Sequence, residues 1–256
     1  MPAAALEDHR DRALGVYGER GGWRLHIRAW LVRHAEGLVL VDTGIGQPGA
    51  PAPGWYGASG LLFDALLHAG TTPDAIDTVV LTHVHDDHIG GTVVFDDREP
   101  VPAFPQATYL LQRVDREWQA ELAADDEEDR VIDALLLQPL ERSGQLRLID
   151  GDHALNEGVA LHLASGHTPG HQIVRLRSGD SRAIIAGDTF NHPIQISRPD
   201  LPSGPDASPA QAAVARRAFL DEVLSSPGIT IAPTHFAEAF GQIERDDAGT
   251  ACWRPV

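Results

Sequence analysis

Four short apolar segments of this sequence each run directly into a histidine or an aspartate, and this pattern constrains the fold more than any other feature. Thr78 to Leu81 leads into THVHDDHIGG, and Val159 to Ala164 leads into SGHTPGH. AIIA is followed by GDTF, and ITIA is followed by PTHF. Such segments are typical of buried strands, and neighbouring strand ends meet at one edge of a sheet. The sequence therefore predicts a sheet edge where His and Asp side chains collect.

The first of these clusters is the densest. Three histidines and two aspartates fall within six positions: His83, His85, Asp86, Asp87 and His88. A solvated polar loop would explain neither this alternation nor the paired glycines behind it, which allow close backbone packing. Imidazole and carboxylate suit zinc, manganese or iron, and the only cysteine, Cys252, excludes a cysteine-based zinc site. A single histidine such as His167 or His235 would more often have a structural, hydrogen-bonded role than bind metal. The prediction of a metal site therefore rests on the whole set of His and Asp residues at the strand ends.

The order of elements predicts a mixed α/β fold. Strands are expected in the segment from Trp23 to Gly44, as a hairpin that ends near Asp42, and at TVVL, LRLI, VALHLA, IVRLR, AIIA and ITIA. Helices are expected in LLFDALLHAG, ending at Gly70, from Gln112 to Arg142, and after an N-cap at Ser208. The stretch from Gly46 to Gly60 has the Gly, Pro and Ala content of an irregular loop. Two sheets with helices outside are favoured, with a doubly wound sheet as the alternative.

Length, composition and charge limit the number of domains and the classes of partner that this chain can have. The chain has 256 residues, 43% of them hydrophobic, and no evident linker, which predicts a single domain over residues 1–256. The net charge of −17 disfavours a nucleic-acid partner, and the absence of lysine excludes a Schiff-base mechanism. Charged residues near the N-terminus argue against an export signal, and no apolar run approaches the roughly 20 residues of a membrane span. A cytoplasmic protein acting on a small molecule is expected. The sequence leaves the oligomeric state open, with a homodimer as one option.

The motifs resemble those of a known family. HVHDDH is similar to the HxHxDH motif of the metallo-β-lactamase superfamily, and VDTG, GHTPGH, GDT and the late TH follow in the order of that family. The resemblance runs from about Trp23 to His235. It implies an αββα sandwich, an α/β fold in the broad sense, with two metal ions at one edge of its paired sheets. Zinc is the expected metal, with manganese or iron as alternatives.

The resemblance also implies a role for individual residues. His83, His85 and His167 would hold one ion, and Asp87, His88 and His235 the other. Asp188 would bridge the two ions, and Asp42 would orient ligands by hydrogen bonds. Asp86 is expected to point away from the metals. His171 and His192 fit either the lining of a pocket or a structural role.

The same family implies a hydrolase in which a hydroxide bridging the two metals attacks an ester-type bond and Asp87 or Asp188 passes a proton to the leaving group. GDTFNHPIQISRPD resembles the acyl-homoserine lactonase and organophosphate hydrolase branch, but Asn191 stands where some lactonases carry a tyrosine. A lactone or other ester of a small metabolite is the expected substrate. The alternatives are a thioesterase, an organophosphate hydrolase, a mononuclear iron persulfide dioxygenase and a non-catalytic binding module. Trp55 and Tyr56 fit either a substrate wall or a structural pin for their loop.

Overall fold

The computed structural model describes residues 24–95 and 99–256, which divide into two compact units. The N-terminal unit comprises the described residues between 27 and 151, and the C-terminal unit comprises residues 152–256 together with 24–26. The expected lack of an export signal concerns residues 1–23, which lie outside the described residues. The expected single domain stays a prediction. Within the described ranges, no helix has the length and apolar character needed to span a membrane.

A five-stranded sheet organises the N-terminal unit. In their order across the sheet, its strands are β1 (Trp30–His34), β2 (Gly37–Val41), β3 (Thr78–Val80), β6 (Thr108–Gln112) and β7 (Leu146–Ile149). The first two strands are antiparallel, and the remaining neighbours are parallel. Two short strands, β4 (Val93–Val94) and β5 (Val101–Pro102), pair separately.

Helices in the same unit connect and cover these strands. They are α1 (Pro51–Tyr56), α2 (Leu62–His68), α3 (Asp86–Ile89), α4 (Arg113–Asp125), α5 (Glu127–Ile132) and α6 (Gln138–Arg142), with a 3-10 turn at Pro73–Ala75 and a π-helical segment at Asp133–Leu137. Sheet residues such as Val79 and Leu111 pack with Leu136 and Leu140 of the helical region into one buried cluster. Burial of this apolar surface provides the main driving force for folding the unit.

A seven-stranded sheet organises the C-terminal unit. Its strands are β8 (His153–Ala154), β9 (Val159–Leu163), β10 (Gln172–Ser178), β11 (Ser181–Ile185), β12 (Thr230–Ala232), β13 (Gly241–Arg245) and β14 (Ala251–Pro255), in the spatial order β14-β13-β12-β11-β10-β9-β8. Only β11 and β12 pair in parallel within this described sheet. The helices are α7 (Ile194–Ser197) and α8 (Pro209–Ser225). Phe219 and Val223 of α8 join Ile184 and Ile231 of the sheet in a second core.

Much of the predicted secondary structure is confirmed. The six apolar segments correspond to β3, β7, β9, β10, β11 and β12. α2 ends just before Gly70, whose φ of 74° is the left-handed conformation expected after a helix. α8 follows Ser208, with Pro209 at its first position. Strands and helices in both units confirm the mixed α/β class.

Three predictions need correction. The hairpin ends next to Asp42 as predicted, but among the described residues regular pairing begins only at Trp30 and covers Trp30–His34 and Gly37–Val41. The stretch 46–60 is not wholly irregular, since Pro51–Tyr56 is a helix. Pro51 fits there because the first helical turn needs no backbone N–H from it, and the helix ends where Gly57 adopts a φ of 63°.

The third correction concerns residues 112–142, which were expected to be helical throughout. Gln112 instead ends β6, and the helical region is divided into α4, α5, the π-helical segment and α6. The division after α4 has a local cause at Asp126. Its carboxylate accepts hydrogen bonds from the backbone N–H groups of Glu128 and Asp129, which caps a new helix.

Candidate metal centre

Two parallel strands position the first group of polar residues in the N-terminal unit. Val41 of β2 lies in register with Val80 of β3, so Asp42 and Thr82 leave the sheet at the same edge. The backbone N–H of Asp42 donates to the carbonyl of Val80 at 2.8 Å, which extends the strand pairing to this point. The expectation that strand ends bring these side chains together is confirmed for this unit.

Asp42 organises its neighbours. It is fully buried, and its backbone φ of 58° lies in the left-handed region that residues other than glycine seldom adopt. Its carboxylate accepts hydrogen bonds from Thr82 N (2.8 Å), Thr82 Oγ1 (2.9 Å) and His88 Nδ1 (2.9 Å). Thr82 Oγ1 in turn accepts from Nδ1 of His83 at 3.0 Å. One carboxylate thus fixes two imidazole rings, one directly and one through Thr82.

The other ring nitrogens of the three histidines in the His83–His88 segment lie close together, and the carboxylate of Asp87 lies beside them. Nε2 of His83 lies 3.0 Å from Nδ1 of His85, and the rings of His83 and His88 have centroids 4.0 Å apart. Nε2 of His88 is 3.7 Å from Oδ1 of Asp87. The ring of Trp118 stands edge to face with His85, with centroids 6.3 Å apart. Four of the sequence-predicted metal-binding residues therefore lie in one group, in which His83, Asp87 and His88 are buried and His85 is half-buried.

Glycines allow the backbone to approach this group closely, as the sequence predicts. A Cβ on Gly90 would lie 2.4 Å from the carbonyl oxygen of Ile45, and one on Gly91 would lie 2.5 Å from that of Thr43. Real Cβ atoms do not occur at such distances, so neither position accepts a side chain without rearrangement. The segment after Asp42 is thereby packed directly against the end of α3.

Asp86 has a partner of its own. It is 9% exposed, and its Oδ1 accepts a hydrogen bond from the hydroxyl of Tyr56 at 3.3 Å. Burial, followed by the nearby charge of Asp87, raises the pKa of Asp86 to about 6. Tyr56 and Trp55 at the end of α1 remain 53% and 44% exposed. Tyr56 therefore ties α1 to the His83–His88 segment while keeping much of its ring accessible.

The strand directions in the C-terminal unit bring the second group to one edge. β11 and β12 are parallel, so the residues that follow them, Asp188 and His235, leave at the same end. β10 runs antiparallel to β11 and β9 antiparallel to β10, so the start of β10 and the end of β9 share that end. The connection between β9 and β10 contains His167 and His171. The topology thus collects residues from three separate sequence motifs.

Asp188 is the centre of this group. Its Oδ2 lies 2.9 Å from Nε2 of His235 and 3.3 Å from Nε2 of His167. All three side chains are almost fully buried. Nδ2 of Asn191 donates to the same oxygen at 2.5 Å. The three predicted ligands of this unit therefore meet at a single carboxylate.

The Nδ1 atoms of His167 and His235, on the opposite side of each ring from Asp188, are also hydrogen-bonded. Nδ1 of His235 donates to the carbonyl of His26 at 2.7 Å, and Nδ1 of His167 donates to Oδ1 of Asp206 at 2.9 Å. Burial lowers the pKa of His167, but hydrogen bonds with Asp188 and Asp206 outweigh it and raise that pKa above its ordinary value. Burial likewise raises the pKa of Asp206, yet its bonds to His167 and Arg216 lower it overall.

His171 and His192 have structural contacts. Nδ1 of His171 donates to the carbonyl of Ala164 at 3.1 Å, while its Nε2 accepts from the backbone N–H of Asp188 at 2.9 Å. Nδ1 of His192 accepts from the backbone N–H of Ile194 at 3.1 Å. His171 therefore helps to hold Asp188 in place, and the structural interpretation of these two histidines is favoured.

Two residues of this network carry no motif and were not predicted. Asp206 bonds to His167, and the buried Arg216 bonds to Asp206. Arg216 could have been noticed, because it shares one helical face with Ala212, Phe219 and Leu220, where an arginine is unexpected. Asp206 gave no such signal, since it lies in a polar segment whose partner is 39 positions away.

Known proteins resemble this chain over most of its length. The family model described as Metallo-beta-lactamase superfamily matches residues 22–235. The N-acyl homoserine lactonase AiiA of Bacillus thuringiensis subsp. kurstaki is 25% identical over 179 residues, which are 64% of this chain and 64% of the lactonase. The chain thus matches under two thirds of the length of that curated relative.

Solved structures show the same fold. The crystal structure of hydrolase AbOPH, in the beta lactamase superfamily, has a TM-score of 0.83 at 22% identity and covers 100% of this chain and 87% of its own. AidC, described as a dizinc quorum-quenching lactonase in complex with a product, has a TM-score of 0.75 at 24% identity, covering 91% and 80%. At these identities the likeness establishes the fold, which confirms the predicted class.

Proposed function

Because the chain belongs to the metallo-beta-lactamase superfamily, we propose that it is a metal-dependent hydrolase that opens lactones or cleaves related esters of small metabolites. Seven residues hold two divalent metal ions in this proposal: His83, His85, Asp87, His88, His167, Asp188 and His235. Zinc is the proposed metal. The reaction requires no covalent intermediate on a side chain.

The observation that carries the proposal is the geometry around Asp188. The Nδ1 proton of His235 is committed to the carbonyl of His26, so its Nε2 presents a lone pair to the Asp188 carboxylate at 2.9 Å. His167 is arranged in the same way, with Nδ1 bonded to Asp206 and Nε2 at 3.3 Å from Asp188. Lone pairs at such distances repel one another unless a cation or an added proton lies among them. Two divalent cations would meet this need, one held by His167 and the other by His235.

The donor set of each unit fits zinc. Every proposed ligand is an imidazole nitrogen or a carboxylate oxygen, the donors from which zinc sites without cysteine are built. For His83, His88, His167 and His235 the Nδ1 atom has an oxygen partner within 3.0 Å, which leaves Nε2 as the donor to the metal. Two ions bound in this way would activate a water molecule and polarise the carbonyl of an ester.

Two carboxylates move the proton in the proposed reaction. Asp87 and Asp188 are each almost fully buried, and each lies beside an imidazole nitrogen. Either one can accept a proton from the attacking water and return it to the leaving alkoxide. Asn191 holds the Oδ2 of Asp188 through its amide, so that the other carboxylate oxygen keeps a defined direction.

The lactone part of the proposal is supported by the relatives. The curated relative AiiA and the structural neighbour AidC are both described as lactonases, although the sequence identity is only 25% and 24%. The neighbour AbOPH is described only as a hydrolase. An ester carbonyl at which an oxygen nucleophile attacks is common to lactones and simple esters, so the substrate panel must separate them.

The test is a substrate panel on the zinc-loaded full chain. It comprises acyl-homoserine lactones with short and long acyl chains, an aryl ester, an acyl thioester and a phosphotriester. We expect the highest kcat/KM on a lactone and loss of activity on chelation. A preference for the thioester or phosphotriester would overturn the lactone assignment, and no hydrolysis of any member with metal bound would overturn the hydrolase assignment.

A further inference from the structure

A buried arginine links two of the segments that carry proposed metal ligands. Arg216 lies on α8 and is 1% exposed. Its Nε donates to the carbonyl of Thr189 at 2.9 Å, and its Nη1 donates to the carbonyl of Leu201 at 3.0 Å. Its Nη2 donates to both carboxylate oxygens of Asp206, at 3.1 and 2.8 Å. Four hydrogen bonds therefore hold one guanidinium in a single orientation.

Asp206 transmits that orientation to His167. The backbone N–H of Ser203 donates to Oδ2 of Asp206 at 2.8 Å, and Nδ1 of His167 donates to Oδ1 at 2.9 Å. The backbone also joins the two segments, because Ala207 N–H donates to the carbonyl of His167 at 2.8 Å. His167 is thus held by a hydrogen bond from its imidazole ring and by a second hydrogen bond to its own backbone carbonyl.

The loop before His167 is packed tightly on the start of α8. A Cβ on Gly166 would lie 2.2 Å from the backbone nitrogen of Ala212, and Gly166 has a φ of 138°. The carbonyl of Gly166 accepts from Ser208 N–H at 2.9 Å. Any shift of the first turns of α8 would therefore move this loop as well.

We propose that Arg216 and Asp206 are positioning residues for the metal centre: they hold the imidazole of His167 with its proton on Nδ1 and its Nε2 directed at the metal. Because Arg216 also binds the carbonyl of Thr189, the residue after Asp188, the same guanidinium sets the spacing between His167 and Asp188. This inference rests on the proposed function, in which both residues are ligands.

The energetics favour a positional role over a purely stabilising one. A buried ion pair must offset the cost of removing two charges from water, so it contributes little net stability compared with apolar side chains of similar volume. Histidines that bind metal commonly donate their other N–H to a carboxylate, and loss of that partner weakens metal binding by about 10- to 100-fold. Arginine suits this position because its planar group reaches a carboxylate and two carbonyls at once.

The test measures metal affinity in Asp206→Asn, Arg216→Lys and Arg216→Met by competition with a chromophoric zinc chelator. We expect one of the two zinc ions to bind about 10- to 100-fold more weakly in Asp206→Asn and Arg216→Met. Arg216→Lys keeps the charge but has fewer donors, and it should show a smaller loss and provide a folded variant if Arg216→Met does not fold. The melting temperature of each metal-free variant is measured in parallel.

A matched control separates positioning from general destabilisation. Arg116 of α4 is also largely buried and pairs with Asp133 at 2.8 Å and Glu141 at 2.7 Å in the N-terminal unit. Arg116→Met removes the cation and leaves the carboxylates of Asp133 and Glu141 in place, so it should lower the melting temperature without changing zinc affinity. In a His167→Ala background, Asp206→Asn should cause no further loss of affinity.

The outcomes distinguish the two levels of the proposal. Folded Asp206→Asn and Arg216→Lys proteins that bind both zinc ions as tightly as wild type would overturn the positioning role. An additive loss in the His167→Ala background would overturn it too, because the effect would then not pass through His167. A wild-type chain that binds no zinc would instead overturn the proposed function itself.

Discussion

Oδ2 of Asp42 lies 2.9 Å from Nδ1 of His88, although the two residues are 46 positions apart in the sequence. The contact exists because β2 and β3 are parallel neighbours whose ends coincide. The backbone of Asp42 adopts a strained left-handed conformation at this contact, with a φ of 58°. Such strain persists only where surrounding contacts hold it, and here those contacts come from Thr82 and His88.

This contact leads to the first prediction, on Asp42→Asn and Asp42→Ala. Asparagine tolerates the left-handed region, so Asp42→Asn should fold but bind one metal ion about 10- to 100-fold more weakly, because His88 loses its charged partner. Asp42→Ala should in addition lose about 1 to 2 kcal/mol of stability, because alanine is strained at this φ. Zinc competition and chemical denaturation measure the two effects.

The control for this pair is Asp77→Asn. Oδ2 of Asp77 also accepts a backbone hydrogen bond, from Leu38 at 2.8 Å, but it contacts no proposed metal ligand. The zinc affinity of the Asp77→Asn variant should equal that of the wild-type protein. Equal affinities in Asp42→Asn and Asp77→Asn would show that Asp42 does not support the ligand.

The second prediction compares Asp188 with Asp86. Asp188→Ala should lose activity by orders of magnitude and retain metal poorly, because Asp188 is the proposed bridge between the two ions. Asp86→Ala should do little to either property, since its carboxylate bonds to Tyr56. The measurements are kcat/KM and the metal content after gel filtration. Equal losses in the two variants would contradict the roles assigned to Asp188 and Asp86.

How much of this site the sequence predicts depends on whether each feature leaves a local signal in the sequence. The convergence of the proposed ligands was predictable because each follows a short, largely apolar strand, as Asp188 follows β11 and His235 follows β12. The short strands themselves were predictable because their residues are mostly apolar and β-branched. Both signals are local, so a single sequence carries them.

Other features depend on contacts that leave little local trace. α1 was missed because Pro51 and Gly57 resemble loop residues, whereas in fact they begin and end a helix. β13 and β14 were missed because their sequences mix charged and apolar residues, and they are defined by pairing with each other. The bond between Asp206 and His167 was missed for the same reason, because it depends on tertiary structure alone.

The third prediction concerns metal content and metal removal. Elemental analysis should find about two metal ions per chain, as in two-metal sites. Removal of the metal should lower the melting temperature, because an ion that binds only the folded state stabilises it by mass action. A single iron per chain at saturation would contradict the two-metal proposal and favour the persulfide dioxygenase alternative.

The last prediction concerns the exposed aromatic end of α1. Trp55 and Tyr56 are 44% and 53% exposed, and Tyr56 bonds to Asp86 beside the proposed ligand Asp87. Pockets for small ligands are mostly apolar, and aromatic side chains near their mouths often contact the substrate. If these residues contact an acyl chain, Trp55→Ala and Tyr56→Ala should reduce kcat/KM more for a long-chain substrate than for a short ester.

Two further variants make the test specific. Tyr56→Phe removes the hydrogen bond to Asp86 but keeps the ring, so it should preserve the ratio of long-chain to short-chain kcat/KM. Leu67→Ala, at a residue of α2 that is 67% exposed, removes apolar surface elsewhere in the same unit and should change neither the ratio nor the melting temperature. A structural pin would act differently, because its loss would lower the melting temperature and reduce activity on all substrates equally. An unchanged ratio with a lowered melting temperature in Trp55→Ala and Tyr56→Ala would therefore refute the substrate contact.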